Sequence, residues 1–194
     1  RALALAARGQ YTTRPNPAVG CVIVKDGICV GEGFHPKAGE PHAEVFALRQ
    51  AGEQARGATA YVTLEPCAHF GRTPPCANAL VQAGVTRVVM AILDTNPQVS
   101  GKGRAILEAA GITTSVGVCE AQARALNAGF LQVMAGGRPY VRLKVGASLD
   151  GRTAMASGES KWITSPAARA DVQHLRAISG VIITGIDTVL ADDP

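Results

Sequence analysis

Aromatic residues are scarce, at 4% of 194 positions, so a core must be packed from Ala, Val, Leu and Ile. Long apolar runs are missing too, and none approaches the roughly 18 residues that a membrane-spanning helix needs. No run of Lys or Arg resembles a nucleic-acid-binding arm, and the net charge is a modest +4. That mild excess suits small anionic ligands such as phosphates as well as it suits nothing in particular. No G-x-G-x-x-G fingerprint occurs, so the sequence carries no Rossmann signal. The five cysteines form an odd set whose spacing suggests no disulfide framework, and a reducing cytoplasm is the expected compartment. The first residue is Arg rather than Met. The opening stretch 1–8 is too short, and too soon interrupted by charge, for a signal peptide, and reads as an amphipathic helix.

What is present is ordinary for a soluble globular protein: 47% hydrophobic and 18% charged residues. At roughly 100–200 residues per domain, the length suggests one domain and a remainder. Two β-branched runs, 19–24 and 28–33, flank Asp26-Gly27 and predict a hairpin with a two-residue turn. That turn pairs residue 24 with 29 and residue 21 with 32, which puts Cys21 and Cys29 on opposite faces and argues against a bridge between them. A helix is expected from near Pro41 to before Gly52, a strand over 59–64, and a helix over 75–83 stopped by Gly84. A strand over 87–93, a helix over 103–110, a strand over 112–116 and a helix over 120–134 follow. Strands alternating with helices argue for an α/β sheet covered on both faces.

Ala135-Gly-Gly-Arg-Pro139 is the one clear break. Beyond it, 140–148 reads as a buried strand, 165–179 as a helix capped by Ser165 with Pro166 at its first position, and 181–184 as a short strand. These 56 residues are too few for a self-sufficient doubly wound domain. Residues 1–138 are therefore read as one domain and 139–194 as the beginning of a second.

Three fragments combine into a metal site: His42-Ala43-Glu44, Pro66-Cys67 and Cys76. One histidine and two cysteines can hold a zinc ion while leaving the fourth tetrahedral position open to water, as in catalytic rather than structural zinc. H-x-E followed by P-C and a second Cys is the pattern of zinc nucleobase deaminases. Such a zinc lowers the pKa of its water to around 7, and Glu44 would accept that proton and pass it to the ring nitrogen and the leaving amine. The common pattern closes as P-C-x-x-C, whereas here Ala-His-Phe-Gly-Arg-Thr-Pro-Pro separates the cysteines. A lone His-x-Glu is common on soluble helices, and buried cysteines are usually inert; the ordered combination carries the reading. His69, between the cysteines, could instead close a structural Cys2His2 site. His35 and His174 belong to no constellation and read as surface or packing residues. Cys21, Cys29 and Cys119 read as unreactive core residues.

Arg14-Pro-Asn-Pro-Ala-Val-Gly20, Gly39-Glu-Pro-His-Ala-Glu44, Thr63-Leu-Glu-Pro-Cys67, Gly71-Arg-Thr-Pro-Pro-Cys76 and Asp94-x-Asn-Pro97 resemble the deaminase half of the bifunctional riboflavin biosynthesis family RibD. Lys144-Val-Gly-Ala-Ser-Leu-Asp-Gly-Arg-Thr153, Trp162-Ile-Thr-Ser165 and Thr188-Val-Leu-Ala-Asp-Asp-Pro194 are similar to the opening of its reductase half. The resemblance spans essentially the whole chain, and the long spacer between the cysteines is part of it. It implies a cytidine-deaminase-like three-layer α/β/α domain followed by the start of a dihydrofolate-reductase-like domain. It implies zinc at His42, Cys67 and Cys76 with Glu44 catalytic, and hydrolysis of 2,5-diamino-6-(5-phosphoribosylamino)pyrimidin-4-one to the corresponding uracil. Asn16, His69, Arg72 and Asn96 would touch that substrate. In the reductase half, NADPH would lie against Gly146, Trp162, Thr188 and Asp192, with Ser160 and Arg176 facing substrate, and the ribosyl group would become ribityl. The implied partners are this small molecule and, where the protein assembles, further copies of itself, with no nucleic acid and no membrane.

Two other readings compete. A zinc deaminase of free nucleosides or of a tRNA base would leave the reductase-like segment unexplained, and a tRNA editor calls for a basic, aromatic-bearing surface. A non-enzymatic module stabilised by zinc would leave Glu44 without a task.

Overall fold

The computed structural model describes residues 1–69, 74–97 and 99–192, the last without its side chain. Residues 1–140 and 141–194 form separate compact units.

The first unit runs α1 (Ala2–Ala7), β1 (Gly20–Lys25), β2 (Ile28–Phe34), α2 (Ala43–Ala51), β3 (Thr59–Val62), α3 (Cys76–Gln82), β4 (Arg87–Met90), α4 (Lys102–Ala109), β5 (Thr113–Val116), α5 (Glu120–Leu126) and α6 (Ala128–Met134). Its five strands form one mixed sheet in the order β2-β1-β3-β4-β5. β1 is antiparallel to both neighbours, while β3, β4 and β5 are parallel and are joined through α3 and α4, as parallel pairing requires.

Glycines show how the layers assemble. Gly33 pairs with Cys21 and Gly20 with Phe34, so Gly33 and Gly20 present opposite sheet faces. A methyl group on Gly33 would overlap Ala43 of α2, and one on Gly20 would overlap Ala2 of α1. The bare backbone lets one helix lie close against each face, which yields the helix–sheet–helix sandwich expected from the alternating pattern. Between sheet and helices, Ile23, Val62, Val88, Met90, Ala47, Leu80 and Leu107 share one core. Burying a side chain such as Leu80 contributes about 2 kcal/mol, so a core poor in aromatics still accumulates enough apolar burial.

The hairpin departs from the expected register. Asp26 and Gly27 both take positive φ, 50° and 76°, as a two-residue turn demands, and Val24 pairs with Cys29. The register then shifts at Ile23/Val24, so that Cys21 meets Gly33 rather than Glu32. One extra residue on β2 absorbs the shift as a bulge. Cys21 is buried and Cys29 exposed, and all five cysteines are free. Cys29 and Cys119 are therefore surface residues, not core ones.

The helix expected over 120–134 is two helices broken at Asn127, whose backbone leaves the helical region (φ −119°, ψ 24°). Its buried amide accepts from the Ala18 N–H and donates to the Ala18 C=O, both at 2.8 Å. Local helix propensity yields here to a long-range clamp.

In the second unit, α7 (Pro166–Ala177) is capped by Ser165 Oγ, which accepts from Ala168 N–H at 3.2 Å. The strands expected over 140–148 and 181–184 are not formed, and residues 186–192 are helical as α8 (Ile186–Asp192). A strand needs a ladder partner, and no pairing outside the five-stranded sheet occurs among the described residues. Val141, Leu143 and Ile183 are accordingly 83%, 87% and 92% exposed. No helix among the described residues is long and apolar enough to cross a membrane.

Candidate metal centre

The sheet topology gathers the site. The start of β1, the end of β2 and the carboxyl ends of β3 and β4 share one edge of the sheet. The chain leaves that edge into helices, and this is where open α/β sheets carry their sites. His42 is the N-cap of α2, not part of its first turn as the sequence suggests, and Glu44 follows in that turn. Cys67 comes five residues beyond the end of β3, and Cys76 opens α3.

The ligand atoms of His42, Cys67 and Cys76 all lie within 4.8 Å of one another. His42 Nδ1 is 3.4 Å from Cys76 Sγ and 3.6 Å from Cys67 Sγ. A tetrahedral ion with Zn–S near 2.3 Å and Zn–N near 2.0–2.1 Å separates N from S by about 3.6 Å. The donor set and its spacing therefore fit zinc. Among the described residues this is the only such cluster of three or more His, Cys, Asp or Glu side chains. His69 is exposed and lies outside it, so the described residues do not form a closed Cys2His2 site.

The electrostatics divide the two thiols. Cys67 is held down to about 4, first by a hydrogen bond from the Cys76 thiol and further by His42 and the Cys76 backbone N–H, which donates to Cys67 Sγ at 3.2 Å. Cys76 moves the other way, because it faces that thiolate and is itself buried. His42 is raised above the ordinary histidine value, first by its hydrogen bond to Cys67. Burial pushes Glu44 up to about 7 against the pull of its own backbone N–H. A carboxyl group poised there can both take and give a proton near neutral pH.

His35 is a buried neighbour of His42 that the sequence placed in no constellation. It is 2% exposed, and its ring meets that of His42 edge-on at 5.3 Å between centroids. Nδ1–H donates to the Pro41 carbonyl at 3.0 Å, which leaves Nε2 to accept from the Asn16 side-chain amide at 3.1 Å. Burial, the largest influence, lowers its pKa. His35 thus joins Asn16 to the residue before His42. Only its approach across the sheet edge marks it, and no local spacing does.

Asn16 and Asn96 are half-buried, and the two segments that carry them lead into β1 and away from β4 at this edge. Asn96 N–H donates to Asp94 Oδ1 at 2.8 Å. His69 is close enough to act on Asp94, whose carboxyl is raised first by burial. Arg72 lies outside the described residues. In the second unit, Gly146 is half-buried, Ser160, Trp162, Arg176 and Thr188 are exposed, and the backbone of Asp192 ends α8. The Arg169 guanidinium lies 4.4 Å above the Trp162 ring. His174 is exposed on α7.

The family model for the cytidine and deoxycytidylate deaminase zinc-binding region matches residues 1–92, and that for the RibD C-terminal domain matches residues 139–194. Riboflavin biosynthesis protein RibD of Escherichia coli (strain K12) is 67% identical over 194 residues, covering all of this chain and 53% of the relative. Among solved structures, Acinetobacter baumannii RibD, form 1, shares 72% identity at a TM-score of 0.91, over the whole of this chain and 54% of that one. A diaminohydroxyphosphoribosylaminopyrimidine deaminase/5-amino-6-(5-phosphoribosylamino)uracil reductase from Thermotoga maritima shares 43% at a TM-score of 0.92, over all of this chain and 56% of that one. The chain spans about half the length of the curated relatives it matches.

Proposed function

We infer that the chain belongs to the RibD family and that residues 1–138 form a zinc-dependent deaminase acting on 2,5-diamino-6-(5-phosphoribosylamino)pyrimidin-4-one. The observation that carries the reading is the His42–Cys67–Cys76 triad beside a buried Glu44 held near 7. A bound zinc supplies Lewis acidity that turns water into a nucleophile near neutral pH. Glu44 takes the proton that the water loses. It delivers that proton to the ring nitrogen, and then carries the proton of the newly formed hydroxyl group to the departing amine as the C–N bond breaks, so that ammonia leaves and a carbonyl remains. Burial favours the protonated form of Glu44 at the moment of delivery.

Asn16, His69 and Asn96 are proposed to orient the pyrimidine and its ribose at the sheet edge, and Arg72 to meet the phosphate. Residues 139–194 are proposed to open the reductase half, with NADPH against Gly146, Trp162, Thr188 and Asp192, and substrate against Ser160 and Arg176. Reduction of the ribosyl group to ribityl, the cytoplasmic setting and assembly into a homo-oligomer belong to the same proposal for the whole protein.

Full-length zinc-loaded protein incubated with the diaminopyrimidine phosphate tests this. Ammonia should appear with or without NADPH, and NADPH should be consumed only after ammonia release. No ammonia from zinc-loaded protein would overturn the reading.

A further inference from the structure

Glu65 stands two residues before Cys67 and is 4% exposed, yet the proposed reaction gives it no task. Its carboxylate is nevertheless fully engaged. Oε2 accepts the backbone N–H groups of Asp94 at 3.1 Å and Gly101 at 2.9 Å, and Oε1 accepts that of Arg104 at 3.0 Å. No Lys or Arg forms an ion pair with it among the described residues; the Arg104 side chain turns instead to Glu108 at 2.7 Å. Backbone dipoles from one loop and from the first turn of α4 therefore balance this buried charge, as anions at helix N-termini are balanced.

The three donors bracket a single segment, 94–104, and within that segment Asn96 is held from both sides. Its N–H donates to Asp94 Oδ1, and its carbonyl accepts from Val99 and Ser100 N–H at 2.9 and 2.8 Å. Glu65 N–H also donates to the Ile92 carbonyl at 2.9 Å. One residue thus ties both ends of the Asn96 loop to the strand exit that carries Cys67.

We infer that Glu65 is a positioning residue that holds residues 94–97 and 99–101, and Asn96 among them, in register with the metal triad, so that substrate affinity depends on it and metal binding does not. The inference rests on the deaminase reading of this edge. Glutamine cannot replace Glu65. Either way the amide is turned, its NH2 faces at least one backbone N–H, and two donors cannot bond each other.

The experiment is Glu65→Gln in the full-length protein, with zinc content, kcat and KM for ammonia release, and amide hydrogen exchange measured beside wild type. Expected are one zinc per chain, a KM raised about tenfold or more with kcat within about threefold, and faster exchange confined to 94–104. An unchanged KM, loss of zinc, or exchange accelerated throughout the first unit would overturn the inference. If the variant does not fold, Glu65→Asp decides, because it keeps the carboxylate but shortens its reach to the three amides. It should raise KM alone, and a wild-type KM would count against the proposal. Absence of ammonia from wild type would sink the deaminase reading, while the exchange pattern would still judge Glu65.

Discussion

Gly103, the second residue of α4, lies so close against the Pro66 carbonyl that any side chain at 103 would overlap it. Pro66 directly precedes Cys67, so the approach of α4 to the metal-ligand segment is set by a missing methyl group. Gly103→Ala must push the two backbones apart. Overpacking of this kind costs about 1–3 kcal/mol, and denaturant unfolding in excess zinc should show a loss in that range together with weaker zinc retention. Full stability with full zinc content would contradict the packing argument.

Glu44→Gln should keep zinc and lose turnover, by about a hundredfold to ten-thousandfold if the carboxyl is the proton carrier. Metal analysis and ammonia release on the same preparation check both halves. Equal turnover in the variant would return the site to a structural role.

The same substitution should change how the zinc-free protein responds to pH. Burial raises the folded Glu44 carboxyl to about 7 from an ordinary 4.5, so the fold binds this proton more tightly than the unfolded chain does. Its stabilisation is complete below pH 4.5 and is lost as pH rises through 7. At about 1.4 kcal/mol per pKa unit the full span is about 3 kcal/mol. Chemical unfolding in chelator should show wild type losing ground to Glu44→Gln across that window, and parallel profiles would refute the assignment.

Zinc affinity should fall in acid. Cys67, held down to about 4, is already a thiolate near neutral pH, but Cys76 is raised and must release its proton to solvent when the metal binds. His42, raised as well, adds a second proton on the acid side. Chelator competition should show affinity dropping about tenfold per pH unit while one proton is displaced, and about a hundredfold per unit once His42 is protonated too. A flat profile would contradict this.

Asn127→Ala removes both bonds to the Ala18 backbone and leaves a buried N–H and C=O unpaired. The expected cost is about 2–4 kcal/mol, from two groups at about 1–2 kcal/mol each, read as a shift in the denaturation midpoint. Zinc content should stay at one per chain, since α5 and α6 supply no ligand. A variant as stable as wild type would show that water replaces the clamp.

The candidate metal centre was legible because each of its three fragments carries a local signature, although only the fold brings them together. His42 and Glu44 lie two residues apart, Cys67 follows a proline, and each ligand falls where a strand hands over to a helix, so residue type and spacing alone point to a water-activating metal beside a proton carrier. The alternating strands and helices of the first 134 residues are equally local, since they depend on hydrophobic period and on turn residues such as Asp26-Gly27 and Gly84. The second unit was less legible, because a β-branched run such as 181–184 becomes a strand only where another strand offers it hydrogen bonds.

Residue types and their spacing by themselves pointed to the candidate ligand set and the proposed proton carrier, and determined the hairpin turn and the helix–sheet alternation, because each fragment carries its own signature within a few residues. Only the tertiary structure decided the bulge that moves Cys21 opposite Gly33, the break at Asn127, the burial of His35 against His42 and the three amides gathered on Glu65. The break at Asn127 and the amides on Glu65 join segments distant in sequence, while the bulge and the His35–His42 contact join nearer residues that no spacing rule pairs. Each is held by hydrogen bonds or close packing whose partners exist only once the sheet has brought the segments together.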